Sequence, residues 1–453
     1  MKVLFTNLPY WVKDGDAPLR QGIRAGSRWP YTGKAAFAPD DFHFGGYLPF
    51  PMFMGYAAGW LKNVSLGQLD VTLRDSVARG ESYASFGHYL KQLKPDWIVV
   101  ETATNSWDHD RRVIRLMRQL LPSVKFVIAG TVSANQEAVN EALELEGVFA
   151  VVKGEYEKGV ANAILGGNQG VLIHNFLTTE EMSSEAMMWP LWDEGAAKNY
   201  FDACPKGQKP VQLQMWSSRG CPHVCQFCAW PAQMTNNDPL GKGGRKVRFH
   251  TPEWIEGYIR HRVSVMGTLG SVYFDDDTFN LGDKHVKEVC AVMAKLHIPW
   301  AAMCRADSCS REAFMAMRDS GCFGVKIGFE SGSDRVVNRI IGKKLNLEEA
   351  AATAIWLRSI GLEVHGTFML GLPGETAEEQ DMTRAFIQNL YARGGLSTHQ
   401  LSGTAEIDGT PLAQLRVGES NPKFPDAVKD ENYHASKDGL VKAETIQNSI
   451  VAR

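Results

Sequence analysis

The sequence predicts an α/β protein with a Rossmann-like, doubly wound N-terminal domain followed by a partial (β/α)6 barrel of TIM type. Short apolar runs bounded by turn residues alternate with stretches of helical period along most of the chain, as parallel sheets with crossover helices require. The alternation falls into two series, separated by a segment from Asn168 to Pro210 without clean periodicity. This pattern sets the first domain at 1–165, a linker at 166–210, the barrel at 211–410 and a tail at 411–453.

In the first series, strands are expected at Val3 to Asn7, Leu69 to Leu73, Trp97 to Thr102, Lys125 to Ile128 and Val148 to Val152. Between them lie helical stretches such as Arg112 to Leu121, where Val113, Ile114, Met117, Leu120 and Leu121 share a face. In doubly wound sheets ligands bind beyond the carboxyl ends of the strands. Those ends carry Thr102, Thr104 and Asn105, then Gly130, Thr131 and Ser133, then Gly154 and Glu155. Glycine permits close backbone approach and the polar side chains offer hydrogen bonds. No Gly-x-Gly-x-x-Gly follows the first strand, which argues against a dinucleotide. Residues Gly22 to Pro51, dense in Gly, Pro and aromatics, read as a fixed loop leading into a helix at Met52 to Lys62. Trp29, Phe42, Phe44 and Phe50 in it either pack in the core or wall a ligand cavity. A helix from Gly154 to Gly167 closes the domain, and Met187 to Trp192 reads as a packed strap over the domain junction.

The second series opens with a strand at Val211 to Trp216. Further strands are expected at Ser271 to Phe274, Pro299 to Arg305, Gly324 to Phe329, Val364 to Leu370 and Ser397 to Ile407, with helices such as Lys284 to Leu296, Leu347 to Ile360 and Glu378 to Ala392 between them. Barrel chemistry sits at the C-terminal strand ends. The polar motifs fall there: Asp275 to Phe279 (D-D-D-T-F), Arg305, Glu330 to Ser333 (E-S-G-S), and Gly371 to Glu375 (G-L-P-G-E). Three adjacent aspartates ordinarily make a solvated turn, but these end an apolar strand. Arg305 is either a surface cation or a guanidinium fork for a carboxylate. Lys343 and Lys344 read as solvated loop residues, and Gly418 to Arg453 as a polar, mobile tail.

Arg219 to Trp230, R-G-C-P-H-V-C-Q-F-C-A-W, is the densest chemical signal. Cys221, Cys225 and Cys228 form Cys-x3-Cys-x2-Cys, a loop too tight for three separate structural roles. Cysteine thiolates hold iron-sulfur clusters, usually four per cubane, so three would leave one iron open for chemistry. The alternative is structural zinc with His223 or His250 as the fourth ligand. Zinc sites usually pair such a loop with a second close Cys or His pair, and Cys204, Cys290, Cys304, Cys309 and Cys322 form none.

With Phe227 before its last cysteine, this loop resembles the signature of the radical S-adenosylmethionine (SAM) superfamily. The resemblance implies a [4Fe-4S] cluster on Cys221, Cys225 and Cys228, and SAM chelated to the open iron and cleaved reductively to a 5'-deoxyadenosyl radical. It implies SAM contacts from Phe227, from Asp276 and Asp277 facing the amino group, and from Arg305 at the carboxylate. Glu330 and Ser331 resemble the strand-four contacts, and Gly371, Leu372 and Pro373 the turn under the adenine. V-I-A-G-T followed by V-F-A-V-V-K-G-E-Y-E resembles the cobalamin-binding domain that precedes many such barrels. Thr102, Thr104, Asn105, Trp107, Gly130, Thr131, Ser133, Gly154 and Glu155 are the cobalamin contacts it implies. The Asp-x-His-x-x-Gly motif that brings histidine to cobalt is absent around Asp108-His-Asp110, so Asn105 or Trp107 is expected near the lower face of the corrin. Asp408-Gly-Thr-Pro-Leu departs from the family's P-G-T-P-L at its first residue.

The 453 residues are 44% hydrophobic and 22% charged, with a net charge of -3, which gives no reason to expect nucleic acid. The N-terminal apolar run is too short for a signal peptide and no stretch is long enough to span a membrane. Eight cysteines without an export signal point to a reducing cytoplasm. The expected activity is cobalamin-dependent radical SAM methyl transfer to an unactivated centre of a small-molecule or natural-product substrate. An electron donor such as flavodoxin or ferredoxin is the expected partner. The alternative is a non-methylating cyclisation, oxidation or rearrangement with the same cofactors. A cofactor sensor without turnover is the third reading, and it has no need of the SAM motifs.

Overall fold

The computed structural model describes residues 1–14, 17–24, 27–31, 47–173, 176–184, 189–229 and 246–435. They form two compact units, one of Met1–Phe201 with Ile407–Gly409, the other of Asp202–Cys228, Lys246–Glu406 and the chain from Thr410 onward.

The first unit is built on six parallel strands: β1 (Lys2–Asn7), β2 (Asp70–Asp75), β3 (Trp97–Glu101), β4 (Lys125–Ala129), β5 (Val148–Lys153) and β6 (Gly170–Ile173). Their order is β6-β5-β4-β3-β1-β2, so the chain winds one way from β1 to β2 and the other way from β3 onward. The switch point therefore lies between β1 and β3, where ligands of such sheets bind. Central strands covered on both faces read as continuous apolar runs, as Val3 to Phe5 and Ile98 to Val100 do. Helix α1 (Met52–Val64) is buried from Met52 to Leu61, as expected of a helix covered on several sides. Gly55 and Gly59 admit the strap: Leu191 N donates to Gly55 O at 2.9 Å, and a Cβ on Gly59 would lie 2.4 Å from Trp189 O. Phe50 stacks on Trp192 with centroids 4.1 Å apart, which places it in the core.

Two parts of the first unit differ from the sequence reading. Strand β6 lies inside the segment expected to be a linker. It has four residues at the sheet edge and buries only Leu172 well, so it leaves no apolar run to find. Part of the expected loop is instead antiparallel sheet, with Ala17–Arg24 pairing both Trp11–Asp14 and Ser27–Tyr31. Phe42, Phe44, Met187, Met188, Trp230 and residues 436–453 lie outside the described residues, as does the side chain of Trp29.

The second unit holds β7 (Gln212–Met215), β8 (Ser271–Phe274), β9 (Trp300–Cys304), β10 (Cys322–Glu330), β11 (Glu363–Leu370) and β12 (Thr398–Gly403). They pair in chain order and all in parallel, with β7 and β12 at the two edges, so the barrel is open. The crossover helices are α2 (Pro252–Met266), α3 (Asp283–Leu296), α4 (Arg311–Asp319), α5 (Leu347–Ser359) and α6 (Ala377–Ala392). Several open on side-chain caps: the Thr251, Ser310, Asn346 and Thr376 oxygens accept from amides of the first turn.

Residues 411–435 are packed where a mobile tail was expected. Phe424 is 1% exposed and joins Leu415 and Ala427 in one apolar cluster with Val336, Ile340, Ile341 and Leu372. Asp426 accepts two 2.8 Å bonds from Arg339. The segment looked polar because a few apolar anchors among Asn, Asp, Pro and Lys carry no periodicity.

Gly130, at φ +115°, follows β4 so closely packed on β3 that a Cβ would lie 1.9 Å from Thr102 O. Gly130→Ala should cost at least about 2 kcal/mol from strain and displacement together. Gly167→Ala, also at positive φ but with nothing within 4 Å, should cost less. Comparing the two thermal unfolding midpoints checks this.

Candidate functional site

The three cysteines lie on the loop that leaves β7. Cys221, Cys225 and Cys228 are each partly exposed, and Cys228 N donates to Cys225 O at 3.2 Å, which closes the loop's last turn. Gln226 pins it from both sides, its N–H donating to Ile341 O and its carbonyl accepting from Leu412 N, each at 3.0 Å. Cys225 and Phe227 pack on the apolar cluster that contains Leu372 and Phe424. Among the described residues no three His, Cys, Asp or Glu side chains are grouped to hold a single metal ion. A cubane does not ask this, because each of its irons takes one thiolate. Burial, and then the charge of Asp277, pushes the Cys221 thiol up to about 11. Such a thiol ionises against metal cations, which is how a cluster loads.

The paired aspartates beyond β8 hold the start of this loop. Asp276, expected to face the SAM amino group, instead spends its carboxylate on the turn after β7. It accepts from the N–H and hydroxyl of both Ser217 and Ser218 at 2.5–3.1 Å. The Ser217 hydroxyl also meets His285 Nε2 at 2.9 Å. Burial pushes Asp276 up to about 6 against these hydrogen bonds. Asp277 takes Gly220 N at 2.9 Å on one oxygen, while Oδ1 is buried with no hydrogen-bond partner among the described residues. Burial, then the charge of Asp276, pushes it up to about 8. Of the two, Asp277 has the free acceptor that an ammonium or sulfonium ligand would satisfy. Thr278, which the sequence reading did not single out, places Oγ1 3.6 Å from Cys221 Sγ.

Further strand ends add three groups. Arg305 is 4% exposed and its backbone is bracketed by the Asn280 amide at 2.8 and 2.9 Å. Its guanidinium fork already holds Asp307 through two 2.8 Å bonds, so the expected carboxylate contact is largely taken. Glu330, at φ +70°, ends β10 beside a bulge and pairs with Lys343 Nζ at 2.6 Å. Lys343 is 6% exposed, which corrects the reading of a solvated lysine; Lys344 is exposed. The signal for Lys343 was Gly328, where a Cβ would lie 2.2 Å from Glu330 Oε1 and 2.6 Å from Lys343 Nζ. The Ser331 hydroxyl turns to Thr383 Oγ1 at 2.9 Å and to Ser333 N, so it braces its own loop. After β11, Gly371 N and Leu372 N donate to Glu375 Oε2 at 2.6 and 3.1 Å, and Leu372 and Pro373 are buried. Burial pushes Glu375 up to about 7, and its Oε1 has no hydrogen-bond partner among the described residues.

In the first unit, many polar residues expected at a cofactor turn inward. The Thr102 hydroxyl donates to Asp110 at 2.7 Å, Ser133 to Gly130 O at 2.7 Å, and Glu155 accepts from Leu177 N at 2.9 Å. Gly130 is required by the Thr102 carbonyl, and Gly154, at φ +84°, is buried. Trp107 belongs to the apolar core and its Nε1 donates to Glu141 at 2.7 Å, which removes it as a corrin contact. His109 is engaged at both ring nitrogens, with Asp110 and with the Tyr83 hydroxyl, each at 2.9 Å. What stays at the switch point is Asn7, whose buried Oδ1 at the end of β1 has no hydrogen-bond partner among the described residues, with Thr104 and Asn105 half-buried beyond β3. Thr104 is tied to Thr131 Oγ1, and its own Oγ1 accepts from Asp408 N at 2.9 Å. The Asp408 carboxylate accepts from Asn135 at 3.2 Å. Asp408 thus makes a backbone contact that a proline could not make.

Residues 217–387 match the model of the Radical SAM superfamily. The uncharacterized methyltransferase PH0819 of Pyrococcus horikoshii is 26% identical over 365 residues, covering 77% of this chain and 76% of its own. The radical SAM methyltransferase TsrM of Kitasatospora setae, solved with cobalamin and a [4Fe-4S] cluster, superposes with a TM-score of 0.60 at 14% identity over 97% of this chain and 84% of its own. The cobalamin-dependent SAM radical enzyme OxsB, solved with aqua-cobalamin and SAM, gives 0.61 at 13% identity over 95% of this chain and 64% of its own. Among the described residues no helix is long and apolar enough to cross a membrane. This chain therefore carries a Radical SAM domain at residues 217–387, within a fold like that of TsrM and OxsB.

Proposed function

We propose that this enzyme is a cobalamin-dependent radical SAM methyltransferase acting on an unactivated centre of a small molecule or natural product. The observation that carries the reading is the three-cysteine loop at the strand ends of an open barrel, in a chain that also has a Rossmann-type sheet with the buried Asn7 Oδ1 at its switch point. The methyltransferase name of the Pyrococcus relative favours methyl transfer within that class. When bound, the cluster and SAM supply a carbon-centred radical and cobalamin supplies the methyl group.

The chain's own residues bind, orient and shield. Cys221, Cys225 and Cys228 hold the cluster, and Phe227 with Leu372 and Phe424 keeps one side of it apolar. Asp277 Oδ1 and Glu330 accept hydrogen bonds from the cationic part of SAM, while Asp276 acts at one remove by holding the loop. The turn at Gly371, Leu372 and Pro373 carries the nucleoside end. In the first unit, Asn7, Thr104 and Asn105 are the side chains toward cobalamin. Both ring nitrogens of His109 are engaged, so this loop would offer no histidine to a bound cobalamin. Shielding matters because a radical quenched by solvent is lost to the reaction.

Anaerobic reconstitution with iron, sulfide and cobalamin, then reduction with SAM, tests the reading by mass spectrometry of 5'-deoxyadenosine and S-adenosylhomocysteine. Wild type should form both products, and a variant with all three cluster cysteines changed to Ala should lose deoxyadenosine. Deoxyadenosine alone from cobalamin-loaded enzyme would instead indicate a non-methylating reaction. Neither product, with zinc bound in place of a cluster, would overturn the reading.

Asp276→Asn should load less iron per chain and lose about 2–3 kcal/mol, since an amide cannot accept from all four serine donors. Iron content and the melting midpoint check this together.

A further inference from the structure

Three consecutive residues after β8 reach three successive points of the chain after β7. Asp276 holds Ser217 and Ser218, Asp277 holds Gly220 N, and Thr278 Oγ1 lies 3.6 Å from Cys221 Sγ. The first two contacts fix the start of the cysteine loop, and the third touches a sulfur that would hold the cluster. Thr278 is 4% exposed, and the residue after it is anchored too, Phe279 N donating to Met303 O at 2.8 Å. A β-branched side chain on a turn pinned on both sides has little freedom to carry its hydroxyl elsewhere. Cys225 has different surroundings, packed with Phe227 on the apolar cluster around Leu372 and Phe424.

The Thr278 hydroxyl has one proton and two acceptors in reach. It donates to Asp277 O at 2.7 Å. While Cys221 is a thiol, its S–H can donate to Oγ1, and the threonine proton is left for that carbonyl. An iron-bound thiolate has no proton to give and is an anionic acceptor, and hydrogen bonds to charged acceptors are stronger than those to neutral carbonyls. Rotation of the O–H then turns the proton from Asp277 O to Cys221 Sγ without moving a heavy atom. Cys221 also takes the His223 N–H, a main-chain donor that every side-chain variant keeps.

We propose that Thr278 is a positioning residue that acts through Cys221: its hydroxyl donates to the ligating sulfur and makes the loaded cluster easier to reduce. An external one-electron donor of the flavodoxin or ferredoxin class takes the cluster from its 2+ to its 1+ state. No bond to Thr278 forms or breaks, and its proton stays on oxygen. The added electron makes the sulfurs more negative, so a donor aimed at one of them stabilises the reduced state more than the oxidised one. Hydrogen bonds to sulfur are among the levers that set iron-sulfur potentials. Asp276 and Asp277 flank the same turn, and any charge on them opposes the added electron, so a donor at Thr278 offsets the effect of the loop's own anchors.

This proposal rests on the reading that the three cysteines hold a [4Fe-4S] cluster, and the experiment separates the two. Iron and sulfide are counted on anaerobically reconstituted enzyme without SAM. The midpoint potential is then read by redox titration followed by electron paramagnetic resonance, for wild type, Thr278→Val and Thr278→Ser. Valine keeps the shape of threonine without the hydroxyl, and serine keeps the hydroxyl without the methyl group. At equal iron content, Thr278→Val should lower the ratio of reduced to oxidised cluster at a fixed potential roughly 3- to 10-fold, the net worth of one hydrogen bond. For a one-electron couple that is a negative shift of about 30–60 mV. Thr278→Ser should keep most of the wild-type ratio. An unchanged or more positive midpoint in Thr278→Val overturns the proposal, and so does an equal shift in Thr278→Ser, which would mark a packing effect. If Thr278→Val loads iron poorly, Thr278→Ala takes its place under the same criteria. Loss of loading in both would make the hydroxyl a requirement of assembly and not of potential, which also overturns the proposal. A wild type that loads no cluster overturns the cluster reading itself, and this proposal with it.

Discussion

The Asp276 carboxylate is the constraint on which the rest of the barrel site depends. Strands β7 and β8 are parallel neighbours, so their carboxyl ends lie side by side. An aspartate two residues beyond β8 therefore meets the two serines that follow β7, and four donors converge on one buried carboxylate. The donors offset a desolvation cost that would otherwise expel the charge. The cysteine loop starts from this fixed point, with Asp277 holding Gly220 one step further on. Loop residues acquire precision when a rigid element holds them, and here the element is the sheet itself.

The consequence is a division of labour between adjacent residues of one type. Asp276 is satisfied and structural, whereas Asp277 has one donor and one orphaned oxygen. Burial and the neighbouring Asp276 charge raise its proton affinity, against the Gly220 hydrogen bond and the charge of Arg248. Such a group gains most from a cationic ligand. The same contrast separates Arg305, whose fork is filled by Asp307, from Lys343, whose donors are mostly free.

Most strand positions and the cysteine loop were legible in the sequence because each rests on a local pattern. Apolar runs such as Val3 to Phe5 and Val272 to Phe274 identify buried strands, and Cys-x3-Cys-x2-Cys needs no tertiary context. The direction in which a side chain turns was not legible. Thr102, Ser133, Ser331 and Glu155 have the right chemistry at strand ends, yet they bond to Asp110, Gly130 O, Thr383 and Leu177 N respectively. Buried polar groups must find partners within the protein, and this demand competes with ligand binding for the same positions. Lys343 was misread for the opposite reason: two consecutive lysines in a loop look solvated, and only Glu330, thirteen positions earlier, buries one of them. Trp107 misled because an aromatic after a strand suits a cofactor face as well as a core.

Strain at the β10 terminus ties these themes together. Glu330 holds a left-handed backbone that costs a non-glycine residue of order 1 kcal/mol or more, and the ion pair it makes with Lys343 is buried and incompletely bonded. Gly328 gives up a side chain in mid-strand to make room, at a further loss of packing. Three unfavourable choices within three residues are hard to reconcile with stability alone, since an apolar pair and an ordinary strand end would fold more readily. They are consistent with a site whose groups are set before the ligand arrives. The fold carries the cost of orientation, and less ordering then remains to be done on binding. The covering segment around Phe424 and Asp426 supports this by fixing the neighbouring turn, where a Cβ on Gly374 would meet Asp426 O at 2.3 Å. A segment that reads as a polar tail thus helps to keep the strained strand end in its working geometry.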